Sequence, residues 1–325
     1  MAAQDGQEGD GAMTLDIRPW RPGDETAIIA LFETVFARPM TPAFWRWRFL
    51  DHPAGGPLIM LAWDGDRLAG HYAASHAPLV VEGQPLAAAL SMTTMTHPDY
   101  RGRGLFEALG GALYEQLSAQ GFAAIWGFPN TLSHLPFRGK LGWFDVCDVA
   151  TMTLDLTQRA APTADRRVVT VSQTDARFGA LSARLARQTP IGGLRDAPTL
   201  AWRIDRNPVN RYRLFALEEG DGIVGYAVTK AYGAAAVDLV ELRAEDDAAG
   251  KLLLETVIAA TAAEGARHLH AWRLSHDAQR LVFERAGFAA GAPVTYFGGR
   301  ALGPLSAAPD DLRHWRLSML DSDIY

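Results

Sequence analysis

Residues 96–109 have the sequence Thr-His-Pro-Asp-Tyr-Arg-Gly-Arg-Gly-Leu-Phe-Glu-Ala-Leu, and this stretch decides the fold. The apolar segment 87–96 leads into it and predicts a buried strand. The leucines that follow recur every four residues, which predicts one face of a helix: Leu105, Leu109, Leu113 and Leu117. The segment 101–104, Arg-Gly-Arg-Gly, is therefore predicted to be the turn between a strand and a helix N-terminus.

This predicted turn has the chemistry of an anion-binding site. The first turn of a helix leaves backbone N–H groups unpaired, and the helix dipole adds positive potential there. Gly102 and Gly104 allow a ligand to approach the backbone closely, while Arg101 and Arg103 add positive charge. The combination favours a phosphate or pyrophosphate. The alternative is an ordinary tight turn with two solvated arginines.

The same residues resemble the acetyl-CoA-binding loop of the GNAT acetyltransferases, whose pattern is Arg/Gln-x-x-Gly-x-Gly/Ala after a strand that ends near Val-x-Pro. Arg101, Gly104 and the entry 96–98 fit this pattern, whereas Phe106 stands where a small residue is usual. Asn130 resembles the asparagine that often follows the next strand, although Asn130 and Ser133 are also typical turn or cap residues. The resemblance implies that acetyl-CoA is bound by Met95, Thr96, Arg101, Gly102, Arg103, Gly104, Leu105, Asn130 and Ser133.

Composition limits the classes of protein to consider. The chain has 325 residues, 48% of them hydrophobic, which is enough for two ordinary cores. Its net charge of −6 argues against nucleic acid or an anionic membrane as a main partner. The single cysteine, Cys147, rules out a disulfide within the chain and favours a reducing compartment. A cytoplasmic protein without metal is predicted, because no apolar run is long enough for a membrane and the histidines lack metal spacing.

Two parts of the sequence share an unusual spacing. Gly70 lies 23 residues after Trp47, and Gly225 lies 23 residues after Trp202. This indicates a tandem duplication. The second copy is nine residues shorter between that glycine and its next tryptophan, and its loop carries acids at 246–247 where the first copy carries arginine. Because acids repel a pyrophosphate, only the first copy is predicted to bind acetyl-CoA.

The predicted fold class is therefore α/β: a tandem GNAT fold with two copies of a mixed (α+β), mostly antiparallel sheet flanked by helices. The predicted division is a disordered leader at 1–13, an acetyl-CoA-binding domain at 14–154, a linker at 155–167, a degenerate GNAT-like domain at 168–300, and a C-terminal tail that packs back at 301–325.

The residues that move protons are predicted from weaker signals. The tyrosine acid usual in the GNAT family is missing, with Phe137 nearest to its position. The chain is somewhat similar to the enhanced-intracellular-survival acetyltransferases, in which the C-terminal carboxylate returns to the active site as a base. That similarity implies a role for Tyr325, and His134 and Asp145 are the other predicted proton carriers. Further candidates are His71, His76, Asp321 and Asp323, and each candidate alone is more often structural or solvated.

These observations predict an acetyl-CoA-dependent N-acetyltransferase. It would move an acyl group to the primary amine of a small molecule, such as an amino sugar, by direct attack through a tetrahedral intermediate. No nucleic acid or membrane partner is predicted, and a homodimer is possible. Two alternatives stay open: a non-catalytic acyl-CoA sensor, and a tRNA-dependent aminoacyl transferase on the same scaffold, which would need a basic groove.

Overall fold

The computed structural model describes residues 15–157, 160–188 and 190–325. The predicted leader at 1–13 and residues 158–159 of the predicted linker lie outside these ranges. The first half of the chain contains β1 (Asp16–Pro19), α1 (Glu25–Phe36), α2 (Pro42–Phe49), β2 (Leu58–Asp64), β3 (Arg67–His76), β4 (Leu79–Val81), β5 (Gln84–Leu86), β6 (Ala88–Thr96), α3 (Leu105–Ala119), β7 (Ala124–Gly127), α4 (His134–Leu141) and β8 (Phe144–Asp155).

The second half repeats this order of elements, except that it lacks a counterpart of β4 and β5 and has an additional short strand between its first two helices. It contains β9 (Val168–Val171), α5 (Ala176–Leu185), β10 (Ile191–Gly193), α6 (Ala197–Leu200), β11 (Tyr212–Glu219), β12 (Gly222–Tyr232), β13 (Ala236–Ala244), α7 (Asp247–Ala263), β14 (His268–Trp272), α8 (Arg280–Arg285), β15 (Ala289–Ala301) and, in the tail, β16 (Trp315–Arg316). A π-helical turn, Ala201–Asp205, extends α6.

Most strands of the described chain form one twelve-stranded sheet, in the order β1-β2-β3-β6-β7-β15-β8-β14-β13-β12-β11-β9. Its pairings are antiparallel except for β6 with β7 and β13 with β14, which are parallel. The apolar side of α3 packs on β2, β3 and β6, and α7 packs in the same way on β11, β12 and β13. The predicted α/β class, a mixed sheet flanked by helices, is confirmed.

The two halves exchange strands at the centre of this sheet. β15, from the second half, lies between β7 and β8 of the first half, and β8 in turn pairs with β14 of the second half. Each half therefore completes its sheet with a strand from the other. The division into separate domains at 14–154 and 168–300 remains a prediction.

A smaller sheet also joins the halves. In the described residues it has the order β16-β10-β4-β5, so it combines the tail, the second half and the first half. Its β4–β5 hairpin lies between Gly70 and Trp126, where the first half is nine residues longer than the second. The extra residues of the first half therefore serve to attach the other half and the tail.

Two tryptophans at equivalent positions of the halves form a reciprocal contact. The Trp47 indole N–H donates to the main-chain oxygen of Trp202, and the Trp202 indole N–H donates to that of Trp47, each at 3.0 Å. Their rings stack with centroids 4.8 Å apart, and both side chains are buried. The contact relates the halves by an approximate twofold axis and satisfies four polar groups in an apolar interior.

The tail returns to this junction. Trp315, Leu317, Met319 and Leu320 are buried, and Arg203 donates from Nη2 to the main-chain oxygen of Ser322 at 2.6 Å. The tail therefore contributes to the same apolar core as the two halves. Within the described ranges, no helix is long and apolar enough to cross a membrane.

We expect the variant Trp202→Phe to lower the free energy of unfolding by about 2 kcal/mol, because it removes one indole donor and leaves the buried main-chain oxygen of Trp47 unpaired. Urea denaturation followed by circular dichroism measures the change. The control Leu281→Ala, at a side chain 46% exposed, should change the value by less than about 0.5 kcal/mol. Equal effects of the two variants would contradict a structural role for the reciprocal contact.

Candidate functional site

Two neighbouring strands separate in the middle of the first half. β6 pairs with β7 only from Ala88–Ala124 to Leu90–Trp126, although β6 continues to Thr96. Beyond that point a cleft of about 420 Å³ opens. It is lined by Thr94, Met95, Thr96, Arg101, Phe106, Asn130, Leu132, Ser133, Pro136 and Lys140. The structure thus brings five predicted cofactor residues to one cavity: Met95, Thr96, Arg101, Asn130 and Ser133.

A β-bulge lies in β6 at the mouth of this cleft. The register with β3 changes from His71–Met95 to Ala73–Met92, so β6 carries one extra residue there. Thr93 has a φ of 49°, an uncommon conformation for a β-branched residue. A bulge leaves the extra residue outside the ladder and redirects the backbone. Polar main-chain groups beside Thr94 and Met95 can therefore face a ligand in the cleft.

The glycine-rich turn lies at the start of α3, as the sequence spacing indicates. Gly104 caps the helix with a φ of +75°, and Gly102 has a φ of +78°, so a side chain at either position would be strained. Arg101 lines the cleft, while the Arg103 guanidinium lies 5.2 Å from the ring centre of Tyr100. The first-turn N–H groups, which follow Gly104 at Leu105, have no partner within an α-helix and carry the positive end of the dipole.

Asn130 and Ser133 are turn residues that also line the cleft. The Asn130 side-chain oxygen accepts from the N–H groups of Leu132 and Ser133 at 3.0 and 2.9 Å, which fixes the turn before α4. Both residues also line the cleft. The hydrogen bonds within the turn therefore hold this wall of the cleft in place.

Lys140 is a cleft residue that sequence reasoning missed. It follows Ser133 and Pro136 on one face of α4, at spacings of seven and four residues, and brings a second cation opposite Arg101. The spacing on α4 is the signal that could have identified it. Phe106 also lines the cleft and packs against Phe137 with ring centres 5.2 Å apart.

The predicted proton carriers lie in two different places. His134 Nε2 lies 2.7 Å from Asp145 Oδ1, and the imidazole stacks on Tyr296 with centroids 4.1 Å apart. This pair is on the side of α4 away from the lining residues of the cleft. Tyr325 lies at the junction of the halves, where its main-chain oxygen accepts from Arg203 and its ring meets Trp272. The structure therefore does not bring His134, Asp145 and Tyr325 together.

His71 is a buried imidazole next to the bulge. Its Nδ1 donates to the Thr93 main-chain oxygen at 2.7 Å, and its Nε2 has no hydrogen-bond partner in the part of the chain that is described. Burial lowers the pKa of His71 to about 4, although the hydrogen bond to Thr93 opposes this shift. The ring is therefore neutral at pH 7, and its Nε2 lone pair is buried without a hydrogen-bond partner among the described residues.

A second cavity, of about 50 Å³, lies at the junction of the halves. Its charged and polar lining includes Arg48, His76, Arg195, Arg203 and Asp321. Leu90 and Trp126, the last paired residues before β6 and β7 separate, also line it. The cavity and the cleft are thus next to the same gap in the sheet. Among the described residues, no group of three or more His, Cys, Asp or Glu side chains is arranged to hold a metal ion.

Comparison with known families identifies the class of protein that this cleft and sheet define. A family model described as "Acetyltransferase (GNAT) domain" matches residues 16–144. The first half of the chain is therefore a GNAT acetyltransferase domain, and the protein is an acyltransferase. The predicted resemblance of the chain to the GNAT acetyltransferases is confirmed.

Solved structures share the fold over most of the chain. A GCN5-related N-acetyltransferase from Anabaena variabilis has a TM-score of 0.71 at 14% identity, with 89% of this chain and 73% of that chain covered. A probable N-acyltransferase from Enterococcus faecalis has a TM-score of 0.69 at 16% identity, with coverage of 89% and 73%. Eis1 from Mycobacterium abscessus has a TM-score of 0.64 at 16% identity, with coverage of 89% and 74%. No curated protein matches the chain significantly.

Acidification should destabilise the protein through His71. In the unfolded chain this histidine has a pKa near 6.5, so between about pH 6.5 and pH 4 the unfolded state binds the proton and the folded state does not. The contribution of His71 to stability is therefore complete above pH 6.5 and falls by about 2 kcal/mol at pH 5. Urea midpoints at pH 7 and pH 5 measure the loss. The variant His71→Gln should show a smaller loss, and an identical loss would contradict the assignment.

Proposed function

We propose that the protein is an acetyl-CoA-dependent N-acetyltransferase that acts on the primary amine of a small molecule. The observation that supports this proposal is the cleft between the separated strands β6 and β7, which ends at the glycine-rich N-terminus of α3. A groove between two strands with cations in its lining suits the binding of acetyl-CoA for acyl transfer by a GNAT domain. A cytoplasmic location and a homodimer stay predictions.

The residues around the cleft fit the chemistry of acetyl-CoA. Its pyrophosphate would be held by the first-turn N–H groups of α3 together with Arg101 and Lys140, because backbone donors and cations converge there. Gly102 and Gly104 would let the phosphates approach, and Leu105 and Arg103 would complete the turn around them. Met95, Thr96, Asn130 and Ser133 would line the path of the pantetheine arm.

In the described part of the second half, the equivalent turn before α7 carries acids instead of arginines. The Asp246 side chain accepts from the Ala249 N–H at 2.8 Å and so occupies the N-terminus of α7 itself. Its negative charge, with that of Asp247, would repel a phosphate. This arrangement supports the assignment of acetyl-CoA to the first half alone.

Acetyl-CoA supplies an acetyl group activated as a thioester: the acceptor nitrogen bonds to the carbonyl carbon, the carbon–sulfur bond breaks, and the proton lost by nitrogen ends on the released thiol. The backbone at the β6 bulge would present N–H groups to the carbonyl oxygen, where negative charge develops. Such donors act without reorganisation because the strand holds them in place.

His71 is our proposal for the residue that accepts the proton of the amine. It pairs across the sheet with Met95, which lines the cleft, and its neutral imidazole has a buried Nε2 without a hydrogen-bond partner among the described residues. The pair of His134 and Asp145 remains the alternative predicted from the sequence, at the other side of α4.

We expect acetyl-CoA to raise the melting temperature of the wild-type protein. At a concentration 100 times the Kd the stabilisation is about 2.7 kcal/mol. The double variant Arg101→Ala, Lys140→Ala should weaken binding at least about tenfold, because it removes both cations of the cleft. The matched control is Arg138→Ala, on the same helix but paired with Asp145, which should bind as the wild type does. No shift of the wild-type protein at millimolar acetyl-CoA would overturn the proposed function.

The two proposals for the proton acceptor predict different variants to be impaired. With His71 in this role, His71→Gln lowers kcat by about 100-fold or more while the thermal shift with acetyl-CoA persists. His134→Gln should then change kcat by less than about threefold. The reverse order of effects would favour the pair of His134 and Asp145.

A further inference from the structure

The small cavity at the junction of the halves carries unbalanced positive charge. Arg195 is paired twice, with Asp321 and with Glu241, each at 2.7 Å. The carboxylate of Asp321, which lines the cavity, is thus already neutralised. Arg48 and Arg203 also line the cavity. Arg203 donates to the main-chain oxygen of Tyr325, the last residue of the sequence, whereas Arg48 has no carboxylate within 4.0 Å in the described part of the chain.

Arg48 is the unusual member of this set, because it is a buried cation with few contacts. Its side chain is 4% exposed, and Nε donates to the Met92 sulfur at 3.2 Å. The guanidinium lies 5.6 and 5.7 Å from the ring centres of Trp47 and Trp202. Its Nη2 has no hydrogen-bond partner among the residues described. A buried guanidinium with an unpaired N–H group lowers the stability of the folded protein. A function in binding would explain why an arginine occupies this position.

The pKa of Arg48 reflects this environment. Burial, together with repulsion by Arg203, lowers it to about 9. Asp323 and Tyr212 oppose the shift electrostatically. The group is still a cation at pH 7, and the cavity would gain free energy by admitting an anion.

The second half contains an arginine at the equivalent position whose guanidinium does have hydrogen-bond acceptors. Arg203 follows Trp202 as Arg48 follows Trp47, so the two arginines are equivalent across the reciprocal contact. Arg203 donates to the main-chain oxygens of Leu320 at 3.4 Å, of Ser322 at 2.6 Å, and of Tyr325. The tail thus supplies oxygen acceptors to Arg203, whereas the equivalent place at Arg48 is open to a ligand with oxygen acceptors.

We propose that Arg48 binds the carboxylate of the acyl acceptor, so that the acceptor is an amine that also carries a carboxylate, as an amino acid does. This inference rests on the proposed function. The cavity of about 50 Å³ exceeds the space for a water molecule, about 10–15 Å³ by the same kind of measure, and has room for a carboxylate. Charge-assisted pairing with a guanidinium is the strongest recognition available to that group.

The position of Arg48 is consistent with transfer at the cleft. Its Nε contacts Met92, and Met92 lies two residues before Thr94, which lines the cleft. Two residues of chain span at most about 7 Å, which is of the order of the separation between the nitrogen and the carboxylate in an extended amino acid whose two ends are several methylenes apart. The nitrogen would then point towards the bulge and His71, while the carboxylate stays at Arg48.

This acceptor differs from the amino sugar that the sequence suggested. Amino sugars with several ammonium groups would be repelled by Arg48, which lines the cavity and has no carboxylate partner among the described residues. A carboxylate would neutralise this charge instead.

The test is a panel of acceptors with wild-type protein and acetyl-CoA, followed by release of free thiol. The panel contains the free amino acids, including β-alanine and γ-aminobutyrate, their carboxamides, and an aminoglycoside. We expect at least one amino acid to have a kcat/KM about 100-fold above that of its carboxamide, and the aminoglycoside to be inactive. Equal use of acid and amide, use of the aminoglycoside instead, or no use of any amino acid would overturn the proposal.

The variant Arg48→Met should remove the preference for the acid, mainly through KM, while the thermal shift with acetyl-CoA persists. The matched variant Arg203→Met tests for a merely structural role. We expect its melting temperature to fall because it loses the tail contacts, whereas that of Arg48→Met should stay the same or rise. Retention of the acid preference in Arg48→Met would overturn the proposal. A wild-type protein that fails to bind acetyl-CoA would be a failure of the proposed function itself, and the thermal shift reports it separately.

Discussion

The indoles of Trp47 and Trp202 donate to each other's main-chain oxygens, and much of the structure depends on this reciprocal pair. A buried carbonyl must find a donor, so each half satisfies the other at its centre. The stacked rings also fix how the halves approach, because a 4.8 Å separation leaves little freedom of tilt. Arg48 and Arg203 enter the same cavity as a consequence, one from each half.

Strand exchange joins the two halves in one continuous sheet. β15 of the second half pairs with the edge of β7 opposite β6 and so holds β7 in place beside the gap that opens beyond Leu90. The gap between β6 and β7 is the cleft that we assign to acetyl-CoA. The second half therefore shapes the site even though its own helix N-terminus is capped by Asp246.

The two halves differ at two equivalent positions, and both differences concern the binding of anions. The turn before α3 is rich in arginine and glycine, while the turn before α7 is acidic. Arg203 is satisfied by the tail, while Arg48 keeps an unpartnered Nη2 among the described residues. In both comparisons the first half retains the groups that can bind an anion, and the second half has become structural support.

The sequence by itself determined the strand, glycine turn and helix around 96–109, because local periodicity and turn chemistry specify them. It also determined the repeat, through the spacing of Trp47 and Gly70. Local patterns do not encode which distant groups meet. Only the tertiary structure decided that Lys140 lines the same cleft as Arg101 and that His134 and Asp145 pair away from the lining of that cleft. It also decided that Arg48 is buried with no carboxylate within 4.0 Å among the described residues. Those features depend on strand exchange and on packing between halves that are 155 residues apart.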